Sequence, residues 1–236
     1  MNFDRLLRIL VPRRIISAVR LLNIFQQQHG HVRQQDGFPV NGQGDFQPWL
    51  TYPMIEFLNG LDFSKKRIFE FGAGSSTLYW AKRAMEVVSV EFDSGWFEAL
   101  RTKVPGNVQL IHEPEGLQYA NKIRDNLGLF DIIVIDGAER YRASTAALTA
   151  LAPGGMVILD NAEWYPETAN MLCAAGLIEV RFSGFSPINA FTSTSTAFLS
   201  RDFSIPCTPQ ARMPAVGGRK LPTPALDDLA PAEICP

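Results

Sequence analysis

From residue 67 onward the chain alternates short apolar runs with amphipathic stretches of helix length, and this alternation restricts the fold more than any other feature. The runs lie at 67–71, 86–91, 107–111, 131–136 and 155–160, and they are rich in valine and isoleucine with few charges. Strands of that composition are covered on both faces, so the segments read as βα units of a largely parallel sheet. A helix around 167–175, ended by Gly176, leads to two further runs at 177–183 and 195–201. The link at 184–194 is too short for a crossover helix, which predicts an antiparallel pair at one edge. The expectation is an α/β protein with five parallel strands and a terminal hairpin.

The rest of the chain reads as appendages to that unit. Residues 3–25 form a basic, amphipathic segment split by Pro12, which removes a helix hydrogen bond. It suits either a membrane surface or protein partner, or packing on its own domain with the arginines in water. Residues 26–44 read as a polar loop with solvated His29 and His31, and 48–59 as a helix ended by Asn59-Gly60. The tail at 204–236 holds seven prolines and little apolar periodicity, and reads as disordered or loosely draped. The domain expectation is therefore 1–47 as helix and loop, 48–203 as the functional domain and 204–236 as tail.

Composition narrows the classes. With 46% apolar residues and a net charge of −2, the 236-residue chain carries no overall nucleic-acid signal. Cys173, Cys207 and Cys235 are odd in number and far apart, which argues against a disulfide framework or zinc site and for a reducing, cytoplasmic setting. No apolar run reaches the roughly 18 to 20 residues that cross a bilayer. Pro12, Arg13 and Arg14 interrupt the N-terminus, unlike a signal peptide.

In an open doubly wound sheet, ligands sit outside the carboxyl ends of the strands. Those ends carry Glu70 with Gly72 and Gly74, Glu91 with Asp93, His112 with Glu113, Asp136 with Gly137, and Asp160 with Asn161. The glycines of Glu70-x-Gly72-x-Gly74 let the backbone turn tightly and approach a ligand. Ser75, Ser76 or Thr77 can cap the following helix. Glu91, nineteen residues after Gly72, stands where a second-strand carboxylate accepts hydrogen bonds from both ribose hydroxyls. Thr77 holds the place of the third glycine of a dinucleotide site, and Glu70 favours a ligand with a positive amino group over phosphates. S-adenosylmethionine has the required ribose, amino-acid end and sulfonium.

These residues resemble the class I S-adenosylmethionine-dependent methyltransferases over roughly residues 49–202. The motifs are Glu70-Phe71-Gly72-Ala73-Gly74, Ser89-Val90-Glu91-Phe92-Asp93, the strand that ends at Asp136-Gly137, and Ala152-Pro153-Gly154-Gly155 leading to Asp160-Asn161. The resemblance implies a Rossmann-like sheet of seven strands, the last antiparallel. It places Gly72, Gly74 and Ser75 by the methionine part, Glu70 at its amino group and Glu91 on the ribose, with Asp136 also at the cofactor. Adenine would be held by His112, Glu113 or Glu115, of which Glu113 is carried with the cofactor residues.

Asp136, Asp160 and Asn161 are similar to the Mg²⁺-binding triad of catechol and caffeoyl-coenzyme A O-methyltransferases. Oxygen donors suit that ion, which would ease deprotonation of an acceptor hydroxyl. The place of the basic residue after the fourth strand holds Glu139 and Arg140 instead, and the DGxH pattern of sugar-modifying relatives is absent. Catalysis would fall to Asp136, or without a metal to Glu139 or His112. Trp49, Tyr52, Tyr141, Trp164, Tyr165, Phe185 and Asn189 are the acceptor-pocket candidates, with 184–189 the most distinctive stretch. The resulting expectation is methyl transfer to a small molecule or glycan precursor at oxygen, with nitrogen also possible. A protein or nucleic-acid methyltransferase, a non-catalytic scaffold and a dinucleotide oxidoreductase are the alternatives.

Overall fold

The computed structural model describes residues 12–219. The rest of the N-terminal segment, the remainder of the tail and Cys235 lie outside the described residues. In chain order, α1 (Arg13–Asn23) and a π-helical stretch (Ile24–His29) precede a small hairpin, β1 (Gln34–Gln35) and β2 (Phe38–Pro39), and then α2 (Tyr52–Asn59). The alternating part follows as β3 (Arg67–Phe71), α3 (Ser75–Ala81), β4 (Glu86–Glu91), α4 (Ser94–Arg101), β5 (Val108–His112) and α5 (Gly116–Asn121). It continues with β6 (Phe130–Ile135), α6 (Arg140–Ala147), β7 (Leu151–Leu159), α7 (Pro166–Ala174), β8 (Ile178–Phe185) and β9 (Thr192–Leu199).

Strands β3 to β9 form one seven-stranded sheet in the order β5-β4-β3-β6-β7-β9-β8. The first five are parallel, and β9 runs antiparallel between β7 and β8. This is the α/β doubly wound arrangement expected from the alternation. The strand order reverses between β3 and β6, which opens the crevice where such sheets bind ligands.

Period-two alternation divides each strand between two cores. Ile68, Val87, Ile132 and Ile158 pack on one face with Leu58 and Trp80. Phe69, Phe71, Val90, Ile135 and Leu159 pack on the other with Tyr119 and Ala143. The same alternation puts Glu70 on the Ile68 face, beneath α3.

Several boundaries differ from the sequence reading, each for a local reason. The helix expected from residue 48 starts at Tyr52, because Pro53 lacks an N–H and is tolerated only in a first turn. That leaves Trp49 outside the helix. The loop at 26–44 contains the hairpin β1–β2, whose two turn residues, Asp36 and Gly37, have φ of 53° and 83°. Both central residues of a type I′ hairpin turn need such angles, and Asp-Gly supplies them. Strand β7 begins at Leu151 rather than 155, with a register shift opposite Phe130 to Ile132. β8 continues to Phe185, so the β8–β9 link spans only 186–191.

His29 and His31 are half-buried rather than solvated. His29 lies against Tyr52 with ring centroids 4.0 Å apart, and the Tyr52 hydroxyl is 3.0 Å from His31 Nδ1. Residues 204–219 lie along the domain, mostly exposed and held at a few points, so this part of the tail is draped rather than disordered. Ile205 is buried, Asp62 N–H donates to the Pro206 carbonyl and Val216 N–H donates to Glu56. None of α1 is buried, and its Ile15, Val19, Leu21 and Leu22 are exposed, which does not match packing on its own domain. Among the described residues no helix is long and apolar enough to cross a membrane.

Candidate functional site

A cleft of about 400 Å³ opens at the carboxyl ends of β3, β4, β6 and β7. The β3–α3 turn forms its floor. Gly72 has φ +94°, and a Cβ there would lie 2.7 Å from the Gly137 nitrogen, so the two turns meet back to back only without side chains. A Cβ on Gly137 would lie 2.0 Å from the Tyr119 hydroxyl. Gly74 differs: its φ of −179° is ordinary extended backbone, and a Cβ there would meet no protein atom within 4 Å. No protein contact requires a glycine at Gly74, which borders the cleft.

Two carboxylates shape this turn, Glu70 from beneath and Glu91 from the cleft side. Glu70, wholly buried, accepts hydrogen bonds on Oε2 from Thr77 Oγ1 at 2.5 Å and Ser89 Oγ at 2.7 Å, while Thr77 Oγ1 accepts from the Gly74 N–H. Its Oε1 has no protein partner. Glu70 therefore supports the turn from beneath the cleft wall rather than lining the cleft. Burial pushes its carboxyl up to about 7. Glu91 does line the cleft, with Oε2 accepting from Ala73 N–H and Oε1 from Asp93 N–H, both at 2.7 Å. Burial raises this carboxyl too. A carboxylate has about four acceptor sites, so capacity remains for ligand hydroxyls.

The Glu70 shift gives a stability prediction. Its carboxyl sits above the ordinary 4.5 when folded, so its contribution is full below pH 4.5 and is lost as pH rises through about 7. At 1.36 kcal/mol per unit, the loss is about 3 kcal/mol. Glu70→Gln should therefore show a flatter melting-temperature profile than wild type between pH 5 and 8, and the higher melting temperature at pH 8. Parallel profiles would contradict the assignment.

On the other side of the switch point, Asp136, Asp160 and Asn161 all line the cleft. The Arg140 guanidinium binds the same group of oxygens. It donates to Asp136 Oδ1 at 3.2 Å, the Asp136 carbonyl at 3.3 Å, the Gly137 carbonyl at 3.1 Å, Asn161 Oδ1 at 3.4 Å and the Asp160 carbonyl. The side chain is buried and lies over the Tyr165 ring at 4.5 Å. Asp160 Oδ1 is taken by Ser195 Oγ at 2.5 Å, and Ser195 Oγ also accepts the Thr51 N–H. Each side chain expected to hold Mg²⁺ thus has an oxygen already engaged, Asp136 Oδ1 and Asn161 Oδ1 by the guanidinium and Asp160 Oδ1 by Ser195, and with a cation already beside them they fit a divalent ion poorly. Burial and the neighbouring Asp160 push the Asp136 carboxyl well above its usual range, against the pull of Arg140. Burial also raises Asp160, to about 6.

The structure brings Gly72, Gly74, Ser75, Glu91, Asp136, Asp160, Asn161, Trp49, Trp164 and Asn189 to one cleft. It places the other candidates elsewhere. His112 is exposed and stacks on Phe97, and Glu113 pairs with Lys122 at 3.0 Å, which holds its carboxyl below the usual range. Glu139 pairs with Arg142 at 2.8 Å, away from the lining. Tyr52 faces His29 and His31, Tyr165 lies under Arg140, and Tyr141 and Phe185 do not line the cleft.

The sequence reading missed Phe38, Pro39 and Trp96, which line the cleft beside Glu91; the Phe38 and Trp96 rings are 5.5 Å apart. The Asp36-Gly37 turn signal pointed to the first pair. Trp96 sits in the first turn of α4, three residues after its cap Asp93.

No family model matches the sequence, and no curated protein does. Solved structures do match. A precorrin-6y C5,15-methyltransferase from Geobacter metallireducens superposes with a TM-score of 0.50 at 16% identity, over 73% of this chain and 99% of that one. The fold is that of the class I methyltransferases. A candidate O-methyltransferase from Klebsiella pneumoniae agrees, with a TM-score of 0.50 at 21% identity over 83% of this chain and 94% of that one. Within this methyltransferase fold, the cleft described above occupies the switch point of the sheet.

Proposed function

We propose that the chain is an S-adenosylmethionine-dependent methyltransferase that modifies a small-molecule or glycan-precursor acceptor at oxygen. One observation carries the reading: Glu91 and the glycine turn line the same cleft, and among the described residues no Lys, Arg or His lines it. A ligand with a ribose and net positive charge suits that lining, whereas the phosphates of a dinucleotide find no cation there.

Glu91 would accept the ribose hydroxyls, Phe38 and Trp96 would flank the adenine, and Gly72 to Ser75 would border the amino-acid end. Gly74 then has its reason, since a side chain there would take the ligand's space. Bound S-adenosylmethionine supplies a methyl group already activated by its sulfonium.

The protein's own task is to aim the acceptor oxygen and receive its proton. Asp136 is the base best placed for this, since it lines the cleft and burial raises its carboxyl above the usual range, while His112 and Glu139 stand outside the lining. Arg140 holds Asp136 in place through its backbone and side chain. Trp49, Trp164 and Asn189 would contact the acceptor and keep water away.

The test is methyl-labelled S-adenosylmethionine offered with a panel of hydroxyl acceptors, with and without EDTA. The expected result is label transfer that is unchanged by EDTA. Turnover that stops with EDTA and returns with Mg²⁺ would show that Arg140 does not replace the ion.

A further inference from the structure

The cleft has two halves, set by strand order. Gly72 to Ser76, Glu91, Trp96 and Phe38 belong to the β3 and β4 side, whereas Asp160, Trp164 and the β8–β9 link belong to the β7 and β9 side. The second half holds three large aromatic faces left open: Trp164 is 61% exposed, Phe191 53% and Trp49 38%. Open aromatic faces around a cleft gain most when a flat apolar surface covers them.

The hydrogen-bonding groups between the rings are uncharged or acidic. Asn161, Asn189, Ser186 and Ser193 are neutral, and Asp136 and Asp160 accept. Such a set is richest in acceptors, so it matches a ligand rich in hydroxyl donors. The charge balance selects further. Across the whole cleft Glu91, Asp136 and Asp160 contribute three acids, Arg140 answers one of them from behind, and a bound cationic methyl donor answers another. Among the described residues an anionic acceptor would therefore find no further cation in the lining to receive it, and like charges brought together are strongly disfavoured. An amine acceptor would have to shed its proton first, because only a free lone pair can take the methyl.

Resting on the methyltransferase reading, we propose that the acceptor is an uncharged polyhydroxylated ring, a neutral sugar unit, stacked on Trp164 and Phe191 with one hydroxyl turned toward Asp136. The hydroxyl oxygen bonds to the methyl carbon as the carbon–sulfur bond breaks. Its proton passes to Asp136, the sulfur keeps the bonding pair as a neutral thioether, and the product is a methyl ether.

Saturation-transfer NMR on the full chain with S-adenosylhomocysteine bound tests this, using methyl glucoside, methyl mannoside and methyl rhamnoside against catechol, tyramine and UDP-glucose. The expected result is saturable signal from at least one neutral glycoside, strongest for its ring C–H protons, and none from UDP-glucose. Trp164→Ala should weaken that glycoside about tenfold while leaving S-adenosylhomocysteine affinity unchanged. Signal from catechol, tyramine or UDP-glucose but from no glycoside overturns the sugar proposal and leaves the methyl-donor site standing. Failure of S-adenosylhomocysteine itself to bind overturns the methyltransferase reading and this proposal with it.

Discussion

Glu91→Ala is expected to remove measurable affinity for S-adenosylhomocysteine, a loss of about 3 kcal/mol or roughly a hundredfold. Hydrogen bonds to an ionised group contribute about 1.5 to 3 kcal/mol each, and the ribose would lose two. The variant also deprives the Ala73 and Asp93 N–H groups of their acceptor, so the glycine turn loosens where the ligand lies. A modest fall in melting temperature should accompany the change, since a buried donor left unpaired costs about 1 to 3 kcal/mol. Isothermal titration of the folded variant checks the effect. Affinity within threefold of wild type, with circular dichroism showing an intact fold, would remove Glu91 from the ribose position.

Arg140→Ala is the second large effect, and it acts on the fold before it acts on chemistry. The guanidinium satisfies five oxygens at the ends of β6 and β7, and removal leaves the half-buried Asp136 and the buried Asp160 carboxyls without a counter-charge. Breaking such a buried pair costs about 3 to 5 kcal/mol. For a chain of this size that is a drop of about 10 °C in melting temperature. Arg140→Lys should recover only part of it, because an ammonium is a point charge and cannot span five acceptors. The order wild type, Lys, Ala in thermal denaturation is the expected outcome. An Ala variant melting within 2 °C of wild type would show that the network carries little stability.

The parallel strands were legible along the chain because both faces of most are buried, and such strands show as unbroken Val and Ile runs such as Ile132 to Ile135. The strand ends were legible for the same reason, since Glu91, Asp136 and Asp160 interrupt those runs where the sheet stops. What the sequence could not supply was side-chain direction at those ends. Glu70 and Glu91 stand near the carboxyl ends of neighbouring strands, yet one supports the turn from beneath and the other faces the cleft.

Arg140 shows the same limit. Its spacing identified it only as the residue standing where other enzymes place a base, while its fold-back over Tyr165 onto five oxygens depends on the left-handed Glu139 and Asn161 at the starts of two turns. Phe38 was missed because two-residue strands carry no periodicity, although Asp36-Gly37 marked the turn. Tyr52 was misplaced because Pro53 moved the helix start and turned that ring toward His29.

The measurement that tests the central claim most directly is a calorimetric titration of the full chain with S-adenosylhomocysteine, set beside an identical titration with NAD⁺. Saturable one-to-one binding of S-adenosylhomocysteine, with no heat from NAD⁺, is the predicted result. Binding of NAD⁺ without S-adenosylhomocysteine would contradict the account at its root, because the same Glu91 and glycine turn would then be serving a dinucleotide.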